Sequence, residues 1–327
     1  MVPIIFSDIY LYHKPRVNHV ENPTRLVRII KSLELKEIIK PSKVTLKDVE
    51  IIHDKEYIEL VEASSRYEEW LDDDTYTNSF TIESALYALG GTLKAMELNG
   101  FAIVRPPGHH AGKSGRALGA PTLGFCIFNN VAFGIKKSSA KRAVIIDFDV
   151  HYGNGTQEIF WDDPNVVHID IHQDPMTLYP GTGFPEMIGG EGAEGTKINL
   201  ILPPLSSDDV YLELIPIIQE IIDDFKPDII AYSAGFDAFE GDGLADIMAT
   251  EATYYHLGLI SKGYKRFAVL EGGYSSGLER GVRAFIDGLD GLDKDYKPKS
   301  TKESVKSIFR EYLKTEKDIL KKYWKIT

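Results

Sequence analysis

Five short runs of β-branched and aromatic residues recur along this chain of 327 residues, and stretches of helical periodicity separate them. Runs that are apolar on both faces are typical of strands in the centre of a parallel sheet, because helices cover such a sheet on both sides. Two helical candidates are 84–100, and 206–225, which opens with residues that can cap a helix. This alternation predicts an α/β fold with a central, mainly parallel β-sheet flanked by helices. The predicted strands are 101–105, 143–149, 166–172, 228–234 and 266–273.

Polar side chains follow several of these predicted strands. His109 and His110 come after the first strand, Asp237 after the fourth and Tyr274 after the fifth. In open α/β sheets, ligands bind beyond the carboxyl ends of the strands. We therefore expect these residues to converge on one site.

The run at 143–149 leads into Asp147, Asp149 and His151, which occupy every second position. Alternate residues of a strand share a face, and buried carboxylates are costly unless they are paired or bound to a metal. A salt-bridge network at a strand end would account for two aspartates alone. The added histidine and the Gly-Asn-Gly turn after it favour a divalent metal, and Asp237 supplies a further ligand. Asp oxygens and a His nitrogen suit Zn²⁺ or a similar ion, with a position left for water.

Two glycine-containing segments complete the candidate site. Prolines and a glycine in 105–111 (RPPGHHA) make a rigid turn that fixes His109 and His110 at a strand end. Packed core histidines are the alternative, but a general base near neutral pH is the natural use of such a residue. In 270–277 (LEGGYSSG), consecutive glycines let the backbone approach a ligand. Tyr274 could then donate its hydroxyl to an oxyanion, although a turn tyrosine is the simpler interpretation of this segment alone.

Charge and cysteine content exclude some classes of function. With 37 Lys and Arg against 49 Asp and Glu, the net charge is −12. The chain therefore lacks the basic footprint of a protein that binds nucleic acid or anionic lipid, while an acidic face could attract cationic substrates. A lone cysteine, Cys126, excludes an internal disulfide and fits a reducing compartment. The sequence has neither a signal-peptide pattern nor an apolar run of about 20 residues. We expect a cytoplasmic protein without membrane or nucleic-acid partners.

Residues 291–327 differ from the rest of the chain because they are Lys-rich and end in an amphipathic pattern at 313–327. A basic amphipathic segment can bind a membrane or a partner. More often it is a helix docked by its apolar face. We therefore predict a main domain over 1–290 and a helical extension, 291–327, packed on it.

Together these segments resemble the zinc-dependent histone deacetylase superfamily, which includes acetylpolyamine amidohydrolases and acetoin-utilisation proteins. The resemblance runs from about Asp8 to Gly288, and its blocks follow the family's order. It is closer to the class II and prokaryotic branches than to class I. It implies a single-domain arginase/deacetylase-like fold, with 1–290 as the deacetylase catalytic domain. The matching blocks are 19–26, 105–111, 124–132, 147–157, 178–183, 233–238 and 271–277.

The resemblance also implies a role for each residue at a matching position. One Zn²⁺ per chain would be held by Asp149, His151 and Asp237, so the strand periodicity counts one ligand too many. Asp147 would orient His109, an electrostatic partner, and Asn154 would orient His110, the general base. Tyr274 would hydrogen-bond the substrate carbonyl. The implied substrate-binding residues are Phe125 and Tyr179 as walls of an acyl-lysine tunnel, Gly124 through its backbone, Leu244 at the gate, and Gly272 and Gly273.

Four positions depart from common family patterns. Class I members carry aspartate where Asn154 stands, although class II members also carry Asn, and many relatives have a second histidine at Tyr152. Asp170 occupies a place usually held by a small hydroxyl residue near a structural K⁺ site, which leaves K⁺ binding open. Leu244 matches a gate where polyamine-selective eukaryotic members carry glutamate, which argues mildly against polyamine substrates.

The leading hypothesis is therefore a zinc-dependent deacylase that removes acetyl or longer acyl groups from lysine side chains of proteins or peptides. The first alternative is a small-molecule amidase, such as an acetylpolyamine deacetylase. A binuclear manganese ureohydrolase of the arginase type shares the fold but needs further bridging aspartates. An acyl-lysine-binding pseudoenzyme is the non-enzymatic alternative. A homo-oligomer stays open.

Overall fold

A computed structural model describes residues 1–35 and 37–327, and its centre is a seven-stranded sheet. The strand order is β1-β2-β9-β8-β5-β6-β7, and every neighbouring pair is parallel. The central strands are buried along their whole length, as parallel strands covered on both faces must be. The sheet strands are β1 (Ile4–Ile5), β2 (Phe101–Ala102), β5 (Ala143–Asp147), β6 (Val166–Gln173), β7 (Lys197–Leu202), β8 (Ile229–Ala234) and β9 (Arg266–Leu270), and β3 (Ala111–Gly112) and β4 (Gly115–Arg116) form a separate antiparallel pair.

Helices flank this sheet and form a single α/β domain with it, as predicted. Helix α4 packs against β2 and β9, α5 packs against β8 and β9, and α8 lies against α9. The helices of the described residues, α1 to α10 in chain order, are Thr24–Leu33, Leu46–Val49, Lys55–Tyr67, Thr81–Leu98, Asn130–Lys137, Asn154–Ile159, Asp208–Phe225, Glu251–Leu259, Leu278–Leu289 and Glu303–Leu320.

All five predicted strands are present, but three end earlier than the apolar runs suggest. Only Phe101–Ala102 of the first run pairs in the sheet, and β9 ends at Leu270. Strand β5 ends at Asp147, after which Asp149 donates its backbone N–H to the Asp147 side chain over 3.2 Å. The prediction that Asp149 and His151 share a strand face with Asp147 is therefore wrong. A loop, not a strand, carries the two later residues.

The C-terminal extension packs on the edge of the sheet. Helix α10 lies against β7, and its apolar side chains Val305, Phe309 and Leu320 are buried. The Glu316 carboxylate accepts the backbone N–H of Ile201 in β7 over 2.6 Å. The helix begins well before the predicted amphipathic segment 313–327. The domain boundary at residue 290 stays a prediction.

Within residues 1–35 and 37–327, no helix is both long and apolar enough to cross a bilayer.

Candidate active site and metal centre

The predicted site residues come together at the carboxyl ends of β5, β8 and β9, around a cavity of about 270 Å³. Four of them, Asp147, Asn154, Asp237 and Gly273, lie next to the cavity wall instead of in it. The predicted residues that line the cavity are His109, His110, Gly124, Phe125, Asp149, His151, Tyr179, Leu244, Gly272 and Tyr274.

The three predicted metal ligands face one another. Nδ1 of His151 lies 3.1 Å from Asp149 Oδ1 and 3.0 Å from Asp237 Oδ2. Two ligands bound to one zinc ion at about 2.0–2.1 Å and a tetrahedral angle lie about 3.3–3.4 Å apart, so this spacing fits a shared ion. Two carboxylates and one imidazole are also a donor set that Zn²⁺ accepts. These residues could therefore hold the metal.

Backbone groups orient the two carboxylates toward His151. Asp149 Oδ2 accepts the N–H of Gly272 over 2.8 Å, and Asp237 Oδ1 accepts the N–H of Val150 over 3.0 Å. A Cβ on Gly272 would lie only 2.2 Å from Asp237 Oδ2, so this position has no room for a side chain. The first glycine of the pair thus lets β9 approach the candidate metal ligands.

The electrostatics of the ligands are dominated by burial and by mutual charge. Burial opposes the charge of His151, but Asp237 and Asp149 outweigh it and raise the pKa of His151 to about 10. A ligand histidine must lose its proton to bind a metal, so binding releases a proton here.

The histidine pair is oriented by two different acceptors. His109 Nδ1 donates to Asp147 Oδ2 over 3.0 Å, and His110 Nδ1 donates to Asn154 Oδ1 over 2.7 Å. Asn154 is itself fixed because its amide donates to Ala117 O over 2.9 Å. Each histidine of the pair thus has its own acceptor, a carboxylate for His109 and a side-chain amide for His110.

These partners push the two pKa values apart. Burial lowers the pKa of His110 well below its ordinary value, and the neighbouring His109 and His151 lower it further. For His109 burial also disfavours the charge, but Asp147 and Asp149 outweigh it and raise the pKa well above the ordinary value. His110 is therefore the neutral imidazole, able to accept a proton, and His109 is the charged one.

Tyr274 reaches the cavity from the loop after β9. Its ring meets Phe125 edge to face at 5.9 Å, and the guanidinium of Arg25 lies 4.6 Å from the ring centre. Burial raises the pKa of Tyr274 well above its ordinary value, against the opposing effect of Arg25. The hydroxyl therefore keeps its proton and can act as a hydrogen-bond donor.

Aromatic rings form the walls of the cavity. Phe125 has the left-handed backbone angle φ 71°, which is rare outside glycine, and its N–H donates to Thr75 Oγ1 over 3.1 Å. Tyr179 is fixed through its hydroxyl, which donates to Thr122 O over 2.8 Å, and its ring meets that of His110 at 5.0 Å. Gly124, Phe125 and Tyr179 line the same cavity.

Sequence reasoning missed a buried charge network that supports the site. Arg25 donates to Gly273 O over 2.7 Å and to Glu271 O over 2.6 Å, and it pairs with Glu21. Arg105 forms a bidentate pair with Glu21. The segment HVENPTRL contains Glu21 and Arg25, so its match to the family was the available signal.

A second missed residue, Glu271, connects β9 to the histidine turn. Its Oε2 accepts the backbone N–H groups of Gly108 at 2.8 Å and His109 at 3.2 Å. Burial raises the pKa of Glu271 to about 7.

Asp74, which also lines the cavity, was missed as well, because no local pattern separates it from the neighbouring acidic residues.

The surroundings of Asp170 bear on the open question of K⁺. Both Asp170 oxygens accept hydrogen bonds, one from Gly153 N over 2.8 Å and the other from His172 Nδ1 over 2.6 Å. The buried His168 places Nε2 at 3.5 Å from Asp170 and 4.0 Å from Asp147. K⁺ binding stays a prediction. Tyr152 packs its ring 5.0 Å from that of His172.

The arginase-type alternative requires a further carboxylate after Asp237. The residue two positions later is Phe239, which is buried in the hydrophobic core. A second bridging aspartate is therefore missing at that position.

A parallel α/β domain with an Asp-His-Asp group, a histidine pair and a tyrosine at its strand ends defines a hydrolase of the deacetylase type. The family described as the histone deacetylase domain matches residues 19–289, and the chain belongs to the histone deacetylase family.

Several relatives are similar over nearly the whole chain. An uncharacterized protein of Methanocaldococcus jannaschii is 44% identical over 96% of this chain and 98% of its own length. A probable deacetylase of Methanothermobacter thermautotrophicus is 36% identical, covering 91% of this chain and 92% of its own. Histone deacetylase 14, chloroplastic, of Arabidopsis thaliana is 35% identical, covering 90% of this chain and 78% of its own. The crystal structure of the HDA15 HD domain matches with a TM-score of 0.87 and 29% identity, over 99% of this chain and 96% of that one.

Proposed function

We propose that this protein is a zinc-dependent deacylase that removes acetyl or longer acyl groups from lysine side chains of proteins or peptides. The observation that carries the proposal is the cavity itself. Phe125 and Tyr179 line the same cavity as Asp149 and His151, and His151 lies against Asp237. Aromatic walls without hydrogen-bonding demands suit the aliphatic stem of a lysine.

Zinc, held by Asp149, His151 and Asp237, would supply a Lewis acid for the amide carbonyl and lower the pKa of water near it. The remaining chemistry belongs to this chain's own side chains. Neutral His110, with Nδ1 fixed by Asn154, has Nε2 free to take a proton from the attacking water. The Tyr274 hydroxyl donates to the carbonyl oxygen as negative charge develops on it. A protonated histidine then supplies the proton that the leaving amine requires.

A small-molecule amidase is the second candidate, and one observation favours it. Asp74 lines the cavity, and a carboxylate in that place could pair with a second ammonium group of an acetylated polyamine. The apolar Leu244 in the same lining favours the lysine substrate instead.

The test is a comparison of kcat/KM on the zinc-loaded enzyme for an acetyl-lysine peptide, longer acyl-lysine peptides and acetylspermidine. We expect the highest values among the acyl-lysine peptides. A clear preference for acetylspermidine would replace the proposal with the polyamine alternative. Absence of hydrolysis with every substrate would contradict both.

A further inference from the structure

The loop after β8 carries a half-buried carboxylate, that of Asp242, whose hydrogen bonds reach the backbone beside the active site. Asp242 Oδ2 accepts two backbone N–H groups, from Tyr274 over 2.7 Å and from Ser275 over 2.9 Å. Both donors belong to the loop that follows β9. One carboxylate oxygen therefore fixes the backbone of the residue whose hydroxyl enters the cavity.

This carboxylate stands in an unfavourable place. Its other oxygen, Oδ1, is buried and finds no hydrogen-bond partner among the described residues. Burial, together with the nearby Asp237, raises the pKa of Asp242 to about 6. A carboxylate with one oxygen buried and unsatisfied costs free energy, so its presence indicates a use beyond closing a turn.

Tyr274 depends on such contacts because no helix or strand holds it. The preceding residue, Gly273, has φ 114°, and its carbonyl accepts a hydrogen bond from Arg25 over 2.7 Å. Asp242 accepts the N–H of this same peptide group, from Tyr274, and the N–H of the next peptide group, from Ser275. Arg25 and Asp242 together thus fix the two peptide groups that flank the Tyr274 Cα.

We propose that Asp242 is a positioning residue, which holds the Tyr274 backbone so that the phenol points at the substrate carbonyl. Leu244, two residues along the same loop, lines the cavity wall. Asp242 therefore also ties the loop at the cavity wall to the loop that carries the phenol. The inference rests on the proposed function, because it assigns Tyr274 a role in amide hydrolysis.

A double-mutant cycle tests the proposal. We expect Asp242→Ala to lower kcat on an acyl-lysine peptide by roughly 10- to 100-fold, since a misplacement of about 1 Å can cost about 10²-fold. KM should change much less. In a Tyr274→Phe background, Asp242→Ala should cause almost no further loss, because the hydroxyl that it positions is already gone. Equal losses in both backgrounds would overturn the proposal.

Two further variants separate positioning from general damage to the fold. Asp242→Asn keeps the size and one acceptor oxygen, so it should restore kcat to within a few-fold of the wild type. The exposed Asp246 lies in the same loop, and its backbone, not its side chain, makes hydrogen bonds with Gln173 and Leu205. Asp246→Ala should therefore leave kcat unchanged. Loss of kcat in Asp242→Asn as large as in Asp242→Ala would count against positioning through the acceptor oxygen.

A crystal structure of Asp242→Ala needs no substrate and therefore keeps this inference distinct from the proposed function. We expect the Tyr274 backbone and ring to shift while Asp149, His151 and Asp237 stay in place. An unmoved Tyr274 would overturn the positioning role. Failure of the wild type to hydrolyse any acyl-lysine substrate would overturn the proposed function, whatever that structure shows.

Discussion

Replacement of Tyr274 by phenylalanine removes one hydroxyl and leaves the rest of the site intact. The ring contacts with Phe125 at 5.9 Å and with Arg25 at 4.6 Å do not need the hydroxyl. Burial keeps the phenol protonated, so the wild-type enzyme has this donor throughout the working pH range. Loss of one oxyanion donor costs about 10²–10³ in kcat, or about 2.7–4 kcal/mol. We therefore expect Tyr274→Phe to lower kcat by at least about tenfold, with a central value of about 10²-fold.

The assay is steady-state deacetylation of an acetyl-lysine peptide by zinc-loaded enzyme, with kcat and KM determined separately. Zinc content and the melting temperature serve as controls, and both should match the wild type because Tyr274 is not a predicted ligand. A kcat within about twofold of the wild-type value would be a far smaller loss than removal of one oxyanion donor causes. It would refute the oxyanion role of Tyr274 and leave the metal site unaffected.

Three other substitutions give independent expectations. Asn154→Asp places a negative charge beside His110 and raises its pKa, so the acid limb of the kcat/KM profile should move up by about one pH unit or more. An unmoved limb would contradict the assignment of His110 as the base. Leu244→Glu should raise the ratio of kcat/KM for acetylspermidine to kcat/KM for the peptide about two- to fivefold, which is the effect of a partly exposed ion pair. An unchanged ratio would contradict a role of Leu244 at the gate. The raised pKa of Glu316, about 8 against 4.5 when unfolded, means that folding favours the protonated form. The stability that the protonated Glu316 provides is therefore lost as pH rises from 4.5 to about 8. Glu316→Gln should thus melt at a higher temperature than the wild type at about pH 9 but not at about pH 5. Parallel melting curves would contradict this.

The location of the site at the carboxyl ends of the strands could be predicted from the sequence, because residues able to bind a metal or catalyse a reaction follow the apolar runs. His109, Asp237 and Tyr274 each come after a predicted strand, and parallel pairing brings such ends to one edge. Strand periodicity correctly predicts that Asp149 and His151 lie near Asp147, but it wrongly places them on the same strand. Strand β5 ends at Asp147, and loop hydrogen bonds place the later residues.

Strand β7 was missed because its polar residues conceal it. Lys197 begins the strand and Asn199 interrupts its apolar run, yet both are buried. Lys197 Nζ donates to Val166 O over 2.8 Å, and Asn199 donates to Met187 O over 3.0 Å. Satisfaction of a buried polar group depends on partners distant in sequence, which a local pattern does not contain.

The supports of the site were hidden for the same reason. Asp242 and Arg25 act on the loop of Tyr274 from segments 32 and 248 residues away along the chain. Spacing within one segment carries no information on such contacts. Only the folded chain shows that the phenol is held by a carboxylate and a guanidinium.

Metal dependence tests most directly whether one zinc ion held by Asp149, His151 and Asp237 drives the reaction. Zn²⁺ is titrated into metal-free enzyme while the deacetylation of an acetyl-lysine peptide is recorded, with an Asp237→Ala variant beside it. We expect activity to rise with zinc and to level off at one equivalent per chain, and the variant to stay inactive at that level. Full activity of the metal-free chain, or a break at two equivalents, would contradict a single zinc held by Asp149, His151 and Asp237.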